Sequence, residues 1–92
     1  MDARAFRALC SEIRADLERR RVALSAAVRS YPTPIARCDE QLAALLETRA
    51  EVLRLLDCGD AELVERFAAA AVRWDDAAAA RLRAKAERAI VA

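Results

Sequence analysis

Apolar residues near the start of the chain recur in alternating steps of three and four: Phe6, Cys10, Ile13, Leu17, Leu24 and Tyr31, flanked by Leu9 and Val28. That spacing puts them on one stripe of an α-helix. Asp2 precedes the stripe as a good N-cap residue. The pattern predicts a first helix over residues 2–30. Arg20 stands in the stripe where an apolar residue belongs.

Tyr31-Pro32-Thr33-Pro34 stops the pattern. Each proline disfavours the α conformation in the residue before it and removes a backbone donor. Thr33 is expected to cap a second helix with Pro34 at its first position. That helix is predicted over residues 35–57. Its stripe is Ile35, Cys38, Leu42, Leu45, Val52 and Leu56, broadened by Leu46, Leu53 and Leu55 and interrupted by Arg49. Cys58-Gly59 ends it, with the glycine expected in a left-handed cap.

Asp60 is expected to cap a third helix over residues 61–90. Its apolar line runs Leu63, Phe67, Ala71, Trp74, Ala78, Leu82, Ala86 and Ile90. Glu62 and Glu65 lie near its start, and Arg81, Arg83, Lys85 and Arg88 toward its end. Both placements favour the helix dipole. The expected fold is therefore all-α, one domain over residues 1–92. An antiparallel helical hairpin joins a third long helix in a three-helix bundle.

Composition supports this and narrows the chemistry. One glycine and two prolines leave long uninterrupted segments, which suit helices. Arginine outnumbers lysine fifteen to one in an alanine-rich chain, a bias resembling a GC-rich, bacterial-like genome. The formal net charge of +1 argues against a dedicated polyanion binder. No apolar run has the length of a membrane span, and Met1 to Leu9 lacks the apolar core of a secretory signal. A cytoplasmic location is the expectation. Cys10, Cys38 and Cys58 have no CxxC spacing, so they are read as small apolar residues rather than a disulfide framework or a zinc site.

The chain has no histidine, which removes the usual neutral-pH acid–base catalyst and a common metal ligand. One glycine allows no phosphate-binding loop. Asp75 and Asp76 point about 100° apart on a helix and are expected to be solvated. No enzyme, cofactor or metal is expected.

Arg20, Arg49 and Asp16 interrupt the seam. In a hairpin folded at Pro32, positions summing to about 65 lie opposite each other. Arg49 would then face Asp16, and Arg20 the level of Leu45, one turn from Glu47. The favoured expectation is that both arginines extend to the seam edge, ahead of register-setting ion pairs and then ligand contacts. Cys10 and Cys58 would share the open end of the hairpin. Arg7, Arg14 and Arg21 form a basic strip with Arg4 beside it, suited to phosphates. Glu12, Asp16 and Glu18 interleave with it, which favours a salt-bridged surface.

The segment over residues 35–52, IARCDEQLAALLETRAEV, resembles the first helix of the all-helical chorismate mutases. Asp39, Leu42, Leu45, Leu46 and Arg49 carry the likeness. The resemblance implies that Arg49 contacts a dianionic substrate. The family's other first-helix arginine falls on Pro32 here, and its downstream lysine falls on Asp60. Such an enzyme ranks as a minor alternative.

The leading expectation is a non-catalytic helical protein–protein interaction module: an adaptor, chaperone-like partner or self-associating subunit. Alanines at 68–71 and 77–80 permit close helix approach. Leu46, Leu53, Ala69 and Ala80 are the expected interface, toward a homodimer or a protein partner. A small nucleic-acid-associated protein is the alternative.

Overall fold

A computed structural model describes residues 1–32 and 39–91 of the chain. Among these residues there are four helices: α1 (Ala3–Arg29), α2 (Asp39–Leu56), α3 (Asp60–Ala71) and α4 (Ala77–Val91). All regular structure among them is helical, as the spacing predicts. The predicted cap at Thr33, the first turn at Pro34 and the stripe positions Ile35 and Cys38 lie outside the described residues.

The three-helix expectation is corrected at residues 72–76. The third predicted helix is two helices, α3 and α4, separated by a turn. Trp74 leaves the helical path to pack edge-to-face on Phe67, with ring centroids 5.7 Å apart and planes at 76°. Asp76 then starts α4 by accepting the Ala79 N–H on its carboxylate at 2.8 Å. A side chain serving as N-cap has left the helix by geometry, because the cap residue's own backbone is not helical.

The α1 start follows the sequence: Asp2 accepts the Ala5 N–H at 2.7 Å. The α2–α3 junction does not. Gly59 is extended, with φ −70° and ψ 165°, and is itself the N-cap of α3 without a side-chain cap. The left-handed cap expected there is absent, since no described residue has positive φ. Asp60 is the first residue of α3 rather than its cap. Its carboxylate is turned to Arg14 instead.

α1 and α2 form one hairpin, and α3 and α4 a second. Cys10 and Arg14 meet the start of α3, Arg20 meets Asp76 at the start of α4, and Arg81 and Lys85 return to Glu12. The chain therefore runs up, down, up and down. At 12 and 15 residues, α3 and α4 are each much shorter than the 27-residue α1, and they cover only its N-terminal part. The shape is correspondingly long, 50 × 20 × 18 Å. The radius of gyration is 14.7 Å, against about 12.3 Å for a compact domain of this length.

The core sits where both hairpins overlap. Leu9, Cys10, Ile13 and Leu17 of α1 meet Val52 and Leu55 of α2, Leu63, Val64 and Phe67 of α3, and Ala79, Leu82 and Ala86 of α4. Alanine admits the close approach of α3 and α4: Ala68, Ala70 and Ala71 are buried too. Of the seam expected to be core, Ile13, Leu17, Val52, Phe67 and Leu82 are buried. Phe6, Leu24, Leu42, Leu45, Leu56 and Trp74 are only half-buried. Leu24 packs against the edge of the core; for Leu42 and Leu45 the reason is length, since they lie on the part of the first hairpin that the shorter one does not reach. No helix among the described residues is long and apolar enough to cross a membrane.

Candidate functional site

The densest polar cluster lies where α1 meets the α3–α4 turn. Asp16 and Arg20 are one turn apart on α1, so they share a face. Asp16 is the buried charged side chain of the structure's described residues, 3% exposed. Arg20 donates from Nε to Asp16 at 2.6 Å. Its two terminal nitrogens donate to the two oxygens of Asp76 at 2.8 and 2.9 Å. The guanidinium also lies over the Trp74 ring, 4.6 Å from its centroid. Arg19 adds a longer contact to Asp16 at 3.7 Å.

Hydrogen bonding from Arg20, helped by the Ala79 N–H, holds the Asp76 carboxyl down at about 2. The Asp76 bonds in turn raise the Arg20 guanidinium above its ordinary value, with Asp16 contributing further. Three of five donors are committed to carboxylates, and one face of the guanidinium covers a ring. Arg20 thus joins α1 to the turn that begins α4.

Asp75 and Asp76 are both exposed, as expected. Asp76 is in addition both ion partner and helix cap. The legible signal was an aspartate three residues ahead of a helical backbone N–H, at the head of an alanine run.

Arg49 and Asp16 do not meet. Arg49 donates from Nε to the Ser25 hydroxyl at 2.9 Å. With the Arg14 contacts to the Leu56 and Cys58 carbonyls and the Tyr31–Gln41 bond, opposed positions sum to between 70 and 74 instead of about 65. Every cross-pair shifts accordingly. Arg20 meets Asp76 of the α3–α4 turn rather than the level of Leu45 and Glu47.

The basic strip is partly consumed by the fold. Arg14 donates to the Leu56 carbonyl at 3.2 Å and the Cys58 carbonyl at 2.8 Å, and pairs with Asp60 at 2.9 Å. It satisfies carbonyls that the end of α2 leaves unpaired. Arg21 pairs with Glu18. Arg7 is exposed.

At the open end, the Cys10 thiol donates to the Asp60 carbonyl at 3.8 Å. Burial raises its pKa, and the Asp60 charge adds to this while Arg14 opposes it. Cys58 is half-buried and donates to the Arg54 carbonyl at 3.3 Å. Both are free thiols.

A shallow groove between α2 and α3 is lined by Glu51, Arg54, Leu55, Arg66, Ala69 and Arg73. Arg73 is paired with Glu51, and Arg66 with Glu62 at 2.6 Å. Ala80 is exposed and lines a second depression with Trp74, Asp75 and Arg83. No set of three metal-ligating side chains comes together among the described residues.

Leu46 and Leu53 are 45% and 38% exposed, and Val22 of α1 is 53% exposed. Val22 was not singled out by the sequence, because it stands outside the seam. On the helical period it lies opposite Ile13 and Arg20, away from the face that α3 and α4 cover.

No family model, curated protein or solved structure matches this chain.

Proposed function

We propose that this chain is a non-catalytic helical interaction module that docks a protein on the back of the α1–α2 hairpin. The back is the face turned away from α3 and α4. The observation that carries this reading is the exposure of Val22, Leu46 and Leu53, which the helical period places on that face.

The polar clusters support the same reading. Arg20, Asp16 and Asp76 hold the two hairpins together. Arg14 caps α2, and Arg49 is held by Ser25. These side chains give the hairpin a fixed shape, and a fixed shape lowers the entropic cost of docking.

The test is a photocrosslinking side chain placed at Ala43, on the back of α2, or at Glu65, exposed on α3. In host cells, position 43 is expected to form a discrete protein adduct and position 65 none. Absence of any adduct at position 43 would refute the interaction reading.

A further inference from the structure

We infer that the partner of the hairpin back is a second copy of this chain, related by a two-fold axis parallel to the hairpin. The inference rests on the docking reading above and names its occupant.

The helical period groups Glu18, Val22, Ala26 and Arg29 on one face of α1. It groups Ala43, Leu46, Ala50 and Leu53 on one face of α2, with Glu47 and Arg54 beside them. Apart from half-buried Ala50, these residues are all exposed. Each helix thus carries a second stripe of small and apolar residues with charges along it. A helix packed on a single side has no use for such a stripe, whereas a four-helix assembly does.

The cross-hairpin contacts fix the height of one helix against the other to within about a turn. By that register Glu18 is level with Arg54, and Val22 lies within about a turn of Leu53. An axis parallel to the hairpin keeps heights unchanged and sets each α1 against the other copy's α2. Glu18 then meets Arg54 of the second copy, with Val22 of one copy beside Leu53 of the other. Apolar residues fall near apolar, and the Glu18 carboxylate, which Arg21 of its own helix also holds, falls near an opposite charge.

The other face-to-face two-fold, perpendicular to the helices, would stack α1 on α1 and α2 on α2. That arrangement would set Glu18 against Arg29 and Glu47 against Arg54, so charge alone does not exclude it; the mixing experiment below does, since Glu18→Arg with Arg54→Glu restores opposite charges at every contact only when α1 packs on α2.

Sedimentation equilibrium on the purified full chain, from about 1 to 200 μM, tests this. The expected mass rises to two chains. Val22→Glu and Leu53→Glu, both at positions exposed in the single chain, should each hold it at one. Glu18→Arg and Arg54→Glu should each raise the dimer Kd roughly tenfold. Mixing these two variants should restore dimerisation, because the mixed pair has opposite charges at both contacts. Recovery on mixing cannot arise from a folding defect. A wild-type mass of one chain throughout would overturn the dimer. So would a dimer indifferent to Val22→Glu and Leu53→Glu, or mixed variants no tighter than either alone. An Ala43 adduct containing a different protein would then leave the docking reading standing, while no adduct would remove both.

Discussion

Arg20 and Asp76 are 56 residues apart in sequence and joined by two parallel hydrogen bonds of 2.8 and 2.9 Å. The pair sets where α4 begins. Asp76 can cap α4 only where its backbone has left the helix, and Arg20 holds it there from α1. Trp74, beneath the guanidinium, closes the same corner against Phe67. A bidentate arginine–carboxylate contact has one good geometry, so it orients the second hairpin on the first.

Acid should loosen that corner within a defined window. The Asp76 carboxyl is depressed from 3.8 to about 2. A depressed carboxyl stabilises the fold above its ordinary value, and the contribution disappears as pH falls from about 4 to about 2. The Asp76 side chain is 43% exposed, so screening reduces the effect to about 1 kcal/mol. Urea unfolding of wild type and Asp76→Asn at pH 6 down to pH 2 checks this. The gap between the two should close in that window; a constant gap contradicts the assignment.

Removing Arg20 should cost more than removing Asp76, because Asp16 stays behind in the core at 3% exposure. Arg20→Met is expected to destabilise by about 3 kcal/mol, chiefly from the stranded carboxylate. Adding Asp16→Asn should recover part of that loss. Arg20→Lys should not rescue, since an ammonium lacks the planar fork. Chemical denaturation of the four proteins decides the matter, and a Lys variant as stable as wild type would contradict the clasp.

Gly59 offers a stabilising change. Its φ of −70° suits any residue, and a Cβ there would meet nothing within 4 Å. Gly59→Ser would supply the missing cap of α3 and restrict the unfolded chain, for a gain of about 0.5–1 kcal/mol. A lower melting temperature would show that the junction needs glycine after all.

The two ends of the α1–α2 hairpin should respond differently to truncation. Leu17 is 0% exposed, so Leu17→Ala is expected to cost about 2–5 kcal/mol. Leu45 is half-buried on the part that α3 and α4 do not cover. Leu45→Ala should cost about 1–2 kcal/mol, having less buried area to lose. Equal losses at the two positions, measured in denaturant on single-chain species, would show a core extending to the hairpin tip.

By itself the sequence determined the helices and most of their faces. Periodicity, the Asp2 cap and the scarcity of glycine and proline are local properties, and helix formation is governed locally. The same local rules placed Ile13, Leu17, Val52, Phe67 and Leu82 in the core. They could not place the break at residues 72–76, because nothing between Trp74 and Asp76 forbids a helix. Arg20, from the far end of the chain, stabilises the capped turn over the continuous helix. They also could not fix the hairpin register. Pro32 marks where α1 stops, but the cross-hairpin contacts mark where α2 returns, and that shift moved Arg49 from Asp16. Local preferences act over a turn or two, whereas a register and a break between two helix-competent segments depend on contacts that exist only once the hairpins have packed.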